Sequence, residues 1–236
     1  MIDNMLDNLK TIKEKYNYNF FSRYIDTTDE NLKPRKQEDW AIKVAVIADE
    51  VLKNLDNNFI EDEEYSAATP ISKLAEKFNI DIQSKLMKRD ILSYLTVDKG
   101  YIENFQTDKV IVINSGIPYK RYITFSIAYD IGALLFDFSE DKDASYSFVF
   151  KEKHQKGFLF ENSWSYLESR ETLTHFLCYV FALFLIMPPN KFTEDCKKLD
   201  EKGITLYEKA GILADKYRTN SAFVGERIKI MQLANL

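Results

Sequence analysis

Apolar residues recur at helical spacing over most of the chain and alternate with polar ones over a shorter central part. Trp40, Val44, Ile47, Val51 and Leu55 form one stripe, which predicts a helix from Asp39 to about Asn57. Residues 2–15 read as a short polar helix. YNYNFFSRYID, residues 16–26, is aromatic without a clear period and reads as an arm. After the charged loop EDEEY (61–65), Thr69 suits an N-cap and Pro70 a first helical position, predicting a helix over 70–80.

The spacing then shortens. IDIQSKL, ILSYLTV, GYIENF and KVIVINS are rich in β-branched and aromatic residues and partly alternate. With short polar connections between them, they predict a small antiparallel sheet. SYSFVF, residues 145–150, reads as a short extra strand. ITFSIAYDIGALLFDF (123–138) returns to helical period, with Ile123, Ile127, Ile131, Leu134 and Leu135 on one side. A long helix over 163–188 follows, then one over 190–200. The tail reads as two or three helices with a turn near Thr219 and Asn220. Its residues Leu213, Ala214, Tyr217, Phe223, Val224 and Ile228 have the apolar spacing of a helix-turn-helix.

Composition narrows the class. Of 236 residues 45% are hydrophobic, enough for a sizeable core, and only seven Gly and five Pro argue for helices over a loop-rich barrel. A formal net charge of -5 leaves the whole chain without an electrostatic footprint for nucleic acid. Cys178 and Cys196 form no CxxC pair, so a thiolate zinc site and a disulfide framework are both unexpected. A reducing cytoplasm is the compartment this cysteine usage suits. The start of the chain shows no apolar signal core. The most apolar run, residues 176–189, is about fourteen residues, short of the roughly 20 a spanning helix needs. It reads as a core helix stopped by Pro188 and Pro189, with no membrane role.

An ordered set of residues resembles the ImmA/IrrE family of zinc metallopeptidases. It comprises KVIVIN, then Arg121, Thr124, Ile127, Ala128, Gly132, Leu134 and Leu135. Phe181, Ala182, Leu185, Met187 and Pro188 follow, and then Arg227 with Ile228. The resemblance covers about residues 70–236. It implies an α+β, mostly helical zincin-like domain with a small antiparallel sheet and a C-terminal helix-turn-helix-like segment. The units would be an N-terminal helix and aromatic arm (1–38), a peptidase-like domain (39–200) and a helical tail (201–236).

The family's zinc chemistry is not matched. A His-Glu-x-x-His helix works because residues one turn apart share a face, so two imidazoles grip one metal and the Glu reaches its water. Those slots hold Tyr129, Asp130 and Ala133, and Ala133 has no donor atom. The family's third ligand maps to His175, or to Leu177 with a small shift, and Tyr179 stands at an Asn position. No catalytic residue, no metal ligand and no cofactor are therefore expected, although the family carries zinc. Asp130, Glu171 and His175 remain as a residual polar pocket, or as an altered metal site. Asp130 is either a remnant base or a carboxylate paired with Arg121, Lys120 or His175. Tyr129 fills the volume a metal would leave.

Family members act on helix-turn-helix repressors, often of phage or mobile elements. The resemblance thus implies a groove beside an edge strand where an extended peptide adds. Val110, Ile111, Val112, Ile113 and Asn114 are the expected edge. The expected function is a catalytically degenerate, protein-binding regulatory module toward a repressor or operon partner, a pseudoenzyme in transcription regulation. Two alternatives stand beside it. One is an active metalloendopeptidase with a rearranged site that cleaves a repressor. The other is a DNA-binding regulator using the tail, where Lys209, Lys216, Arg218, Arg227 and Lys229 face only three acidic residues. The tail is otherwise a helical hairpin docked on the body.

Overall fold

The computed structural model describes residues 37–55, 70–97, 109–117, 120–136, 146–151 and 170–234. The expected polar helix at 2–15, the arm at 16–26, the loop at 61–65 and the GYIENF strand lie outside them. The described residues form seven helices and four strands, an α+β arrangement.

Helix α1 (Gln37–Leu55) buries Val44, Ile47 and Val51 together with Ala41, Ala48 and Leu52, so the stripe does face the core. Helix α2 (Ile71–Lys77) starts one residue later than expected, with Pro70 at the N-cap position. It also ends sooner. Asn79 has φ of +54°, a left-handed conformation that Asn tolerates, and this turns the chain out of the helix. Ile80 therefore opens a strand instead of closing a helix.

Strands β1 (Ile80–Lys85), β2 (Ile91–Val97), β3 (Lys109–Asn114) and β4 (Tyr146–Lys151) form one sheet in the order β1-β3-β2-β4. β2 runs antiparallel to β3 and β4, but β1 runs parallel to β3, so the sheet is mixed and not antiparallel. The chain passes β3's position after β1, runs back as β2 on the far side, and returns to fill the gap. SYSFVF does form a strand, β4.

The topology corrects the expected edge. Val110, Ile111, Val112, Ile113 and Asn114 lie in β3, which is paired on both sides and offers no free edge to a peptide. All five are buried. The sequence carries the reason: an unbroken β-branched run covered on both faces marks an interior strand, whereas an edge usually breaks the pattern with charge. Asn114 is a clamp. Its carboxamide oxygen accepts from the amides of Met87 (3.1 Å) and Gly116 (2.9 Å). Its nitrogen donates to the carbonyls of Lys88 (3.0 Å) and Ile91 (2.7 Å), tying the β1–β2 connection to β3.

Helix α3 (Lys120–Phe136) lies between the sheet and helix α4 (Arg170–Ile186). Gly132 sets how closely the two helices meet: a Cβ there would stand 3.1 Å from Cys178 Cα and 3.1 Å from Phe181 Cδ1. From Thr174 to Met187 every residue is buried. Among the described residues no single helix is long and apolar enough to cross a membrane. Thr174–Ile186 passes that test only together with helix α5 (Pro189–Glu201), from which it is bent by 65°. Pro188 and Pro189 make the break, as expected.

Helix α6 (Leu206–Lys216) opens with a capping box between Thr205 and Glu208. Helix α7 (Ser221–Ala234) packs on α6, α1 and α4. The six apolar positions expected of the tail are all buried.

Candidate functional site

Both sides of α3 are internal, because the sheet covers one and α4 the other. Tyr129, Asp130 and Ala133 are each 0% exposed, and His175 on α4 is 5% exposed. One helical turn separates Tyr129 from Ala133, so they share a face, as the family's two imidazoles would. Tyr129 turns its hydroxyl to α4, where Tyr129 Oη and His175 Nδ1 share a hydrogen bond.

An aromatic box closes around this pair. Tyr129 stacks on Phe150 with ring centroids 3.8 Å apart, and Phe148 lies 4.8 Å from His175. Phe125 stands behind, 6.5 Å from Tyr129 and 6.0 Å from Phe150. Phe148 and Phe150 come from β4. They were legible in SYSFVF as alternate residues of one strand face, but their role against Tyr129 needed the fold.

Asp130 points elsewhere. One residue along the helix is about 100° of rotation, which carries its side chain toward Ser93 on β2. Burial pushes the Asp130 carboxyl well above the ordinary carboxylate range, and the nearby Ser93 hydroxyl opposes that shift. Among the described residues neither Asp130 oxygen nor Ser93 Oγ has a close hydrogen-bond partner. Ser126, one turn before Asp130, has a buried, unpartnered hydroxyl too. An isolated buried carboxylate is so costly that Asp130 is held as the neutral acid.

The expected pairing of Asp130 with Arg121 is therefore corrected. Arg121 is about two and a half turns away on the opposite side of α3. It reaches Asp215 at 2.8 Å and the Thr219 carbonyl at 3.1 Å, pinning α3 to the tail. His175 is taken by Tyr129. The side chains of Lys120 and Glu171 lie outside the described residues. The structure thus brings Tyr129 to His175 and Asp130 toward Ser93.

A catalytic zinc needs three protein ligands and an open position. Ala133 offers a methyl group, Tyr129 is bound to His175, and Asp130 faces the sheet. These residues do not fit the metal. Among the described residues no group of three or more His, Cys, Asp or Glu is placed to hold one.

The tail contains a buried basic side chain. Arg227 is fully buried with its guanidinium 4.0 Å from the Phe184 ring centroid and 4.9 Å from that of Phe192. None of its side-chain nitrogens has a hydrogen-bond partner among the described residues. Burial pushes its pKa down, and the rings supply cation–π contact instead. The other tail cations are partly spent inside the fold as well. Lys209 pairs with Asp200, and Lys216 pairs with Asp195 at 2.6 Å, while Tyr217 donates to the same carboxylate at 2.8 Å. The sequence count of five cations did not show this, because burial and pairing depend on α5. Cys178 and Cys196 are buried, and burial pushes the Cys196 thiol up to about 11.

The sequence matches no family model and no curated protein.

Proposed function

We propose that this chain is a catalytically silent ImmA/IrrE-like domain that acts by binding a protein partner. The partner is a helix-turn-helix repressor or another regulator encoded beside it. The family half of the reading rests on the ordered resemblance from KVIVIN to Arg227. The silent half is carried by one observation: the first ligand slot is occupied by a phenol hydrogen-bonded to His175 inside an aromatic box. A hydrolase needs a water-accessible electrophile and base, and these positions are buried, with Ala133 where the second imidazole would stand. The DNA reading draws less support, because Arg227 is buried and Lys209 and Lys216 are paired with carboxylates. Phosphate contacts scale with the cations available to make them.

The test is to mix the purified chain with the repressor encoded next to it. A stable complex with no repressor fragments, indifferent to a chelator, is the expected result. Chelator-sensitive cleavage would establish the peptidase alternative. Salt-sensitive retention of promoter DNA that is lost on deleting 205–236 would establish the DNA alternative.

A further inference from the structure

β1 is an edge strand whose outer side pairs with no strand among the described residues. Its backbone polarity can be assigned. The Lys85 carbonyl accepts from the Ser115 amide at 3.0 Å, on the β3 side. Alternation then turns the amide groups of Asp81, Gln83 and Lys85 toward β3, and those of Ile80, Ile82 and Ser84 outward. Just beyond the strand Leu86 is 76% exposed, a large apolar side chain with nothing over it. Solvent-facing strands usually blunt such an edge with like charge or proline. This one carries Asp81 and Lys85, of opposite sign, about 13 Å apart along the strand and so unable to pair with each other.

We propose that β1 is a self-association edge, pairing antiparallel with β1 of a second copy about a two-fold axis through Gln83. This register is the one that matches every side chain. Asp81 falls opposite the partner subunit's Lys85, and Lys85 opposite the partner subunit's Asp81. Gln83 faces the partner subunit's Gln83, Ile82 the partner subunit's Ser84, and Ile80 the partner subunit's exposed Leu86. It also satisfies the backbone, since Ile82 and Ser84 both turn their amide groups outward and can exchange both bonds as a hydrogen-bonded pair. Slipping each chain by one residue leaves both charges without a counterpart. A closed two-fold contact of this kind joins two four-stranded sheets into one and uses up both β1 edges, so this contact stops at a dimer. The occupant is a second copy and not an unrelated peptide, because the two charges, the Gln83 amide and the Ile80 and Leu86 pair are self-complementary about one residue.

Sedimentation velocity over a concentration series, with hydrogen exchange at each concentration, tests this. The full chain is expected to move from one to two chain masses. Over the same range the amides of Ile82 and Ser84 should gain protection, while that of Gln83 is protected throughout. Ser84→Pro removes an outward donor from an exposed position and is expected to give a folded monomer at every concentration. Lys85→Glu sets like charges across both ends and should weaken the dimer about tenfold or more. Asp81→Lys combined with Lys85→Glu should restore it. A chain that stays monomeric, or a dimer untouched by these variants, overturns the proposal. So does protection of Ile82 and Ser84 that arises only on adding a partner protein, which would give the edge to that partner.

Discussion

Asp130 is a fully buried carboxyl. Its oxygens have no close hydrogen-bond partner among the described residues, and the Ser93 hydroxyl only partly offsets the burial. The folded protein holds this proton above the pH at which the unfolded chain releases it, near 3.8. Stability contributed by the protonated form is complete below that pH and falls as pH rises toward the folded-state pKa. Glu226 adds a loss of the same sign between 4.5 and about 7, because burial raises it and Lys229 only partly opposes this. These two groups are therefore expected to contribute more stability near pH 4 than near pH 7, as read by denaturant unfolding of the chain against Asp130→Asn at each pH. Asp130→Asn should raise stability at pH 7 by about 1–3 kcal/mol and bring no gain near pH 4. A difference that does not change with pH would contradict this assignment. The identity of Asp130 as a base-slot residue was legible in the sequence from its place beside Tyr129. Its isolation was not, because that depends on β2 bringing a serine in place of a cation.

At the scale of elements, period alone located most of the fold. Val44, Ile47 and Val51 predicted α1, the run ending at Met187 predicted the buried part of α4, and Leu213 through Ile228 predicted both tail helices. Two features escaped. The left-handed Asn79 divides α2 from β1, and nothing in NIDIQ separates a last helical turn from a first strand residue except that one φ. KVIVIN was recognisable as a strand, but edge or centre is a property of its neighbours, and the chain reaches them only through topology. Asn114 shows the difference most clearly. As an edge residue it would be dispensable for folding. As a clamp with bonds to Met87, Gly116, Lys88 and Ile91, its loss leaves four backbone groups to find other partners. Asn114→Ala is expected to cost about 2–4 kcal/mol in thermal or denaturant unfolding, more than a single hydrogen bond. A cost under about 0.5 kcal/mol, the range of ordinary surface substitutions, would show that the clamp does not hold.

For the whole molecule, a buried α3 unites these observations. Between the sheet and α4 there is room for Tyr129 only because β4 lays Phe148 and Phe150 across it, and the close approach of α3 to α4 depends on Gly132. The same geometry that stabilises this core buries Tyr129, Asp130 and Ala133, the positions onto which the proposed resemblance would map the family's chemistry. Arg121 and Arg227 then fasten the tail to the body, one through Asp215 and the Thr219 carbonyl, the other through Phe184 and Phe192. The tail is in this way part of the core's outer layer, as its buried Phe223, Val224 and Ile228 require. The central claim is that this interior is a filled core and not a hydrolytic centre. Elemental analysis of the protein purified without chelator tests it most directly. The account predicts no zinc above trace, and none gained by adding zinc and dialysing. About one zinc per chain, lost together in Asp130→Ala and His175→Ala while both variants remain folded, would contradict it.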